Sequence, residues 1–262
     1  MITYRDRVRA RFAAHLRGRG LEIGALNLPF PFLPGAEVLY SDALSREQVA
    51  AMYPGARLPD IQSDSETFPT IPDGALDFIV ANHVLEHLTS PIHALREWHR
   101  LLRDGGTLML TLPDKRFTFD APRKRTSLQH LIDDSRATSD PRERNYAHLV
   151  EWATHVEKLS PGSDEWRRWI DDHYARGYAV HNHVWIARDI LRLLIWSGGW
   201  QVAAFRNTSV LTNEFILILR AVKANGQQKT LHLALMRAWL VEPIQITKAF
   251  LKRTAKRWIG RE

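Results

Sequence analysis

Hydrophobic positions in this chain alternate between two periods. Leu76-Asp-Phe-Ile-Val-Ala81 is a short, mostly apolar and partly β-branched run, the pattern of a strand buried on both faces. Ser90 is placed to cap a helix that Pro91 opens, and Ile92, Leu95, Trp98, His99 and Leu102 recur at helical spacing up to a stop at Asp104-Gly-Gly106. Thr107-Leu-Met-Leu-Thr-Leu112 reads as the next strand, closed by Pro113-Asp114. Strand, helix and strand of these lengths predict a right-handed βαβ unit.

The same reading extends outward. Residues 3–17 place Val8, Phe12 and Leu16 one turn apart, an amphipathic lead-in helix. Gly20-Leu-Glu-Ile-Gly24 is a first strand with its turn, and residues 36–41 a second strand ending at Asp42. A helix over 45–52 and a short strand over 61–64 follow. Residues 117–178 break the rhythm: polar, rich in Arg, Asp and Trp, and interrupted by Pro122, Pro141 and Pro161. A structureless loop of that length is improbable in a compact domain, so a mostly helical insertion covering the site is expected, at about 115–180. An amphipathic helix over 184–196 and an antiparallel closing pair, Trp200–Arg206 and Glu214–Ala221, complete an α/β body over 1–222, with a helical tail over 223–262.

Charge changes the picture only once it is located. Nine Lys and Arg against two acids put the entire net charge of +7 into the tail, leaving the first 222 residues neutral. A neutral body makes nucleic acid an improbable partner. There is no cysteine, which removes disulfides, thiolate metal sites and cysteine nucleophiles. The N-terminus has no apolar signal core, and no run of about 18 apolar residues is present to span a membrane, so a cytoplasmic protein is expected.

Candidate chemistry gathers where strands end, since ligands in open α/β sheets sit beyond the carboxyl ends. Glu22 and Gly24 end the first strand, Asp42 the second and Asp64 the third. Glycine lets backbone approach a ligand, an acid after the second strand takes two ribose hydroxyls, and one after the third accepts from an exocyclic amine. Together they describe an adenosine-shaped site. The G-x-G-x-x-G fingerprint of a dinucleotide is missing, and no Tyr-x-x-x-Lys pair occurs.

Leu21-Glu-Ile-Gly24, Tyr40-Ser-Asp42, Asp64-Ser-Glu66, Asp77-Phe-Ile-Val-Ala-Asn-His-Val-Leu-Glu-His-Leu88 and Leu101-Leu-Arg-Asp-Gly-Gly106 resemble class I S-adenosylmethionine-dependent methyltransferases, the long run being similar to the type 11 branch. The resemblance implies a Rossmann-like, doubly wound, seven-stranded sheet, mostly parallel with an antiparallel closing strand. It implies S-adenosylmethionine as cofactor, with Glu22, Gly24 and Ala25 near its methionine end and Asp42 on the ribose. Asp64 and Ser65 would meet adenine, while Asn82 and His83 line the sulfonium side and His87 is either structural or packed on the cofactor. Leu26 and Leu28 depart from the family, standing where further glycines are common, which puts the loop's conformation in question. Pro113-Asp-Lys-Arg-Phe-Thr-Phe-Asp120 with Arg123, Thr126 and His130 resembles a subgroup associated with surface-polysaccharide assembly. That implies Lys115, Arg116, Asp120, Arg123 and His130 toward the acceptor.

A sulfonium methyl is already electrophilic, so the protein must chiefly align the reactants and remove a proton from a hydroxyl acceptor. His181 and His183 are the leading bases, with Asp114 next. As metal ligands the two histidines lack a positioned third, so no metal is expected. Arg123, Lys124 and Arg125 form either an anion clamp or a solvated turn.

The expected activity is O-methylation of a sugar, glycan or related membrane-proximal acceptor. RNA or a small metabolite as acceptor, or a catalytically silent scaffold, are the competing readings. In the tail, Ile246, Thr247, Phe250, Leu251, Thr254 and Trp258 share one helical face opposite Lys248, Lys252 and Lys256. Such a helix suits an anionic bilayer at the inner face of the membrane, or folds back on the body. The more apolar residues 231–241 are expected to pack on the body or a second copy of the chain.

Overall fold

In the computed structural model, residues 4–208, 212–223, 230, 232–240 and 247–248 are described. Seven strands form one sheet: β1 (Arg19–Ile23), β2 (Glu37–Asp42), β3 (Ile61–Gln62), β4 (Leu76–Asn82), β5 (Leu102–Pro113), β6 (Trp200–Arg206) and β7 (Glu214–Ala221), in the order β3-β2-β1-β4-β5-β7-β6. The five strands β1 to β5 pair in parallel, and β7 runs antiparallel between β5 and β6. This is the expected Rossmann-like architecture.

β4 explains why its sequence is apolar without alternation. Ile79 and Ala81 enter one core with Trp98 and Leu191, while Phe78 and Val80 enter a second core on the opposite face with Val8 and Leu16. Helices cover both faces, so both sets of side chains must be apolar. The lead-in segment is α1 (Tyr4–Ala10) followed by a 3₁₀ turn at Ala13–His15, rather than one continuous helix. α2 (Arg46–Met52) begins at a reciprocal cap in which Ser45 and Gln48 each bind the other's backbone.

α3 (Pro91–Leu101) opens at Ser90 and Pro91 as expected, but it ends three residues early. Leu102 is already extended and pairs with Leu76, and the register then jumps so that Phe78 meets Thr107. The Asp104-Gly-Gly106 segment is that irregular step inside β5, with Gly105 at φ +71°. β3 is likewise shorter than expected. Asp64 starts a turn, its Oδ1 accepting from the Glu66 and Thr67 amides at 2.9 and 2.8 Å.

The insertion is helical: α4 (Leu128–Arg136), α5 (Pro141–His155) and α6 (Asp164–Ala175). Leu149, Trp152, Ala153, Ile170 and Val180 give it a small core of its own. The following helix, α7 (Ala187–Ser197), starts later than residue 184, because residues 180–186 form an extended strap held from several sides. His183 N–H donates to the Glu86 carbonyl at 3.0 Å, Val184 exchanges bonds with Thr126, and Lys115 N–H donates to the Trp185 carbonyl. Those bonds take the amides a helix would have used.

Residues 232–240 are helical; Ala234 and Ala238 pack on the body, while Leu233, Met236, Trp239 and Leu240 are exposed. The tail helix expected from Ile244 onward lies, apart from Thr247 and Lys248, outside the described residues. Among the described residues no helix is long and apolar enough to cross a membrane.

Candidate active site

The chain leaves β1 for β2 and β3 and then returns to β4 on the other side of β1, so the loops after β1 and β4 diverge and open a crevice. A cleft of about 390 Å³ occupies it, lined by Arg9, Glu22, Gly24, Ala25, Leu26, Asn27, Leu28, Asn82 and His83. Gly24 sits at φ +68° and Leu26 at φ +41°, a left-handed conformation that glycine adopts without strain and leucine does not. The loop therefore keeps its tight turn despite lacking glycine at position 26. His83 is also left-handed, at φ +55°.

Electrostatically, the cleft is built around buried carboxylates. Glu22 is 1% exposed and accepts from the Phe30 amide at 2.9 Å. Burial pushes its carboxyl up to about 8, against the opposing pull of the Phe30 amide and Arg9. Glu214, also buried, is gripped by Arg9 through two bonds of 3.2 and 2.8 Å and lies 2.8 Å from His83 Nε2. Asn82 Oδ1 is buried with no hydrogen-bond partner among the described protein atoms.

A second group lies on the strap beside the 3₁₀ turn Leu85–His87. His181 Nδ1 is 2.7 Å from Asp120 Oδ2, and Arg123 binds both Asp120 Oδ1 (2.9 Å) and the His181 carbonyl (2.7 Å). The Arg123 guanidinium reaches on to Glu151 at 2.8 Å. Asn182 donates to the His87 carbonyl, and the His87 ring faces that of His181 edge-on at 4.8 Å. Burial, with His181 close by, holds His87 down at about 4. Glu86, fully buried under this strap, is raised to about 8 by burial.

The family profile described as "Methyltransferase domain" matches residues 6–204. The chain belongs to this methyltransferase family. A segment is 30% identical over 122 residues to an uncharacterized 37.1 kDa protein in a transposon of Streptomyces fradiae, covering 44% of this chain and 35% of that protein. The chain thus spans only about a third of that relative's length. The fold is similar to a Rhodobacter sphaeroides structure named for Zn-dependent alcohol dehydrogenases, with 16% identity, TM-score 0.53, and coverage of 82% of this chain and 89% of that one. A structure of the CurJ carbon methyltransferase aligns with 19% identity and TM-score 0.46 over 79% of this chain and 50% of that one.

S-adenosylmethionine is the cofactor of this family. The cleft fits it: a buried carboxylate and an orphaned amide oxygen, Glu22 and Asn82, suit a ligand with cationic sulfonium and ammonium groups. Asp42 and Asp64 do not line this cleft. Asp42 is half-buried at the end of β2 and accepts from the Leu44 amide at 3.0 Å; burial raises its carboxyl against that bond. Asp64, through its Oδ1, serves its own turn and borders a separate depression with Glu66, His93, Arg96 and Arg100. Ser65 is left-handed at φ +68°, its amide bound to Ser63 Oγ.

Several residues expected at the acceptor are engaged inside the protein. Asp114 is fully buried, chelated by Arg116 at 2.9 and 2.6 Å and bound by Thr208 Oγ1 at 2.9 Å, so it orders the turn after β5 and has no lone pair directed at a substrate proton. Lys115 donates to the Ala121 carbonyl, and Arg123 is internal rather than an anion clamp. Arg125 pairs with Asp189 at 3.3 Å. His183 is fully buried away from the cleft and held well below the usual histidine range by burial and by His148 and His130, which corrects its placement as a base facing an acceptor.

Further possible metal donors stand beside each of the two strap histidines. His130, Asp134 and His148 surround His183, and Glu86 and His87 lie with His181. Arg9, Glu214, Glu86, Asp134 and His148 escaped the sequence reading. The Arg-rich lead-in helix held no sign that Arg9 would be the inward-facing one; the histidine and aspartate spacings within 130–183 did hold a usable signal.

Proposed function

We propose that this methyltransferase transfers the methyl group of S-adenosylmethionine to a hydroxyl of a sugar, glycan or related membrane-proximal acceptor, with His181 as the base. The observation that carries the reading is the His181–Asp120 pair at 2.7 Å. By accepting from Nδ1–H, Asp120 leaves the lone pair on Nε2, the arrangement a general base needs. Arg123 holds both members of the pair, so the imidazole is oriented before an acceptor arrives. Burial tends to raise Asp120, but its bonds to His181 and Arg123 outweigh that and keep the carboxylate lowered and charged.

In this reading Glu22, Gly24, Ala25, Asn82 and His83 hold the methionine and sulfonium end, and Asp42, at the end of the neighbouring strand just outside the cleft, is left to take the ribose. When bound, the cofactor supplies an electrophilic methyl group. His83 is positioned for its share by Glu214, and His87, kept neutral by burial, packs against His181 without competing for charge. His181 Nε2 would take the acceptor hydroxyl's proton while the methyl passes from sulfur to oxygen, the S–CH₃ bond breaking with its electron pair left on sulfur as a neutral thioether.

Phe119 supports an acceptor with an apolar face and hydroxyl edge. Its ring is 54% exposed, 5.0 Å from His181 and 5.1 Å from Trp152. Aromatic rings offer such a surface to the C–H face of a sugar. The exposed Leu233, Met236, Trp239 and Leu240 support a membrane-proximal station. Labelled-methyl transfer against glycan, RNA and small-molecule pools tests the proposal. Label in a hydroxyl of a glycan or glycolipid fraction supports it; label confined to RNA or to an amine metabolite overturns it.

A further inference from the structure

Away from the cleft, four side chains from three segments meet in the insertion. His130 and Asp134 stand one turn apart on α4 and project from the same face. His148 comes from α5 and His183 from the strap before α7. One ring nitrogen from each histidine and one carboxylate oxygen all lie within 4.8 Å of one another. Asp134 Oδ2 is 3.2 Å from His130 Nε2 and 3.9 Å from His183 Nε2. The His148 ring centroid is 5.7 Å from that of His130 and 5.2 Å from that of His183.

Burial makes this grouping costly as it stands. His183 is fully buried, yet neither ring nitrogen has a hydrogen-bond partner of normal geometry among the described protein atoms, and Asp134 Oδ2 lacks one too. Buried polar groups are nearly always satisfied. Two unpartnered imidazole nitrogens and a carboxylate oxygen whose nearest neighbours are the His130 and His183 rings, gathered at one buried point, call for a common partner.

We propose that His130, Asp134, His148 and His183 bind one divalent transition-metal ion, zinc by the chemistry of the donor set. Three imidazoles and one carboxylate form a borderline-soft set, too rich in nitrogen for calcium or magnesium. Zinc bonds of about 2.0–2.1 Å in a tetrahedron put donors about 3.3 Å apart. The observed 3.2 and 3.9 Å separations bracket that spacing, and the four donors, all within 4.8 Å of one another, reach it by side-chain rotation. The His130 side chain, 46% exposed, leaves an entry path for the ion.

Four protein ligands close the coordination shell, so the site is structural and activates no water. Its effect falls on the strap. Fixing His183 to α4 and α5 fixes His181, two residues earlier, at the edge of the methyl-transfer site. The site stands independently of the acceptor's identity.

The test uses the full chain, stripped with a chelator and titrated with Zn²⁺ and with Co²⁺. One equivalent of each should bind per chain. Co²⁺ should give the intense visible bands of tetrahedral coordination, and zinc should raise Tm reversibly. His130→Ala, at the open side, and the isosteric Asp134→Asn should retain the far-ultraviolet spectrum, lose at least ten-fold in affinity and lose the visible bands. His93→Ala, on α3, should keep wild-type affinity. Absence of stoichiometric binding by the wild type overturns the proposal, as does an octahedral Co²⁺ spectrum. Affinity unchanged in both variants overturns it as well and marks adventitious binding elsewhere. The wild-type stoichiometry and spectrum decide the matter even if a variant fails to fold.

Discussion

His83 Nε2 lies 2.8 Å from Glu214 Oε2, joining residues 131 positions apart at the mouth of the cleft. Arg9 completes the group from the first helix, while His83 follows β4 and Glu214 opens β7. Burial alone would raise Glu214, yet His83 and Arg9 outweigh it and the carboxyl is lowered, so Glu214 is a charged anchor.

Removing Arg9 should therefore destabilise the whole domain. Taking one partner from a buried pair costs about 3–5 kcal/mol, because the remaining charge stays buried. Arg9→Ala should fall at the lower end, since His83 remains against Glu214. Urea denaturation measures it, and Arg9→Ala combined with Glu214→Gln should cost less than the two single losses added together.

Glu22 should make cofactor binding depend on pH. In the free protein its carboxyl holds a proton up to about pH 8. A cationic ligand favours the carboxylate, so binding below that pH releases a proton and affinity rises with pH until about 8, then levels. Calorimetry in buffers of different ionisation enthalpy should register the released proton, and Glu22→Gln should bind more weakly with no such slope.

The same group sets a stability trend of fixed sign. Unfolded, Glu22 titrates near its ordinary 4.5, while folded it titrates near 8. Its contribution is complete below the lower value and is lost as pH rises through the upper one. Tm of the wild type should decline across that window more than Tm of Glu22→Gln; equal declines would show that another group governs the trend.

His181→Ala should slow methyl transfer by about 10²–10⁴-fold, the share of a general base, with cofactor affinity nearly unchanged. Asp120→Asn keeps the shape but releases the ring tautomer, so turnover should fall in the same direction. Single-turnover rates with saturating cofactor separate this from a binding defect. Near-normal turnover in both variants would place the base elsewhere.

Gly20 should tolerate no side chain. A Cβ there would lie 2.1 Å from the ring of Phe78, which is itself fully buried. Gly20→Ala should cost about 1–3 kcal/mol or more through forced displacement of that ring, read as a lower urea midpoint at unchanged slope.

The chain's local chemistry was sufficient for its elements and their order. Apolar runs such as residues 76–82, the Ser90 cap and the glycine after β1 act through neighbours a few positions away, and they appear where the pattern put them. Glu22 and Asn82 could be assigned to a cleft for the same reason: strand ends in a parallel sheet share one edge. Tertiary structure decided the rest. Whether Leu102 continued α3 or began β5 depended on pairing with Leu76, and whether residues 180–186 coiled depended on amides claimed by Glu86, Thr126 and the turn after β5. Asp114 changed from candidate base to chelated anchor because Arg116 folds back onto it, and His183 acquired His130, Asp134 and His148 only through packing of α4 and α5. Local sequence determines which backbone conformation is cheap; which distant side chains share a buried volume is determined by how the finished elements pack.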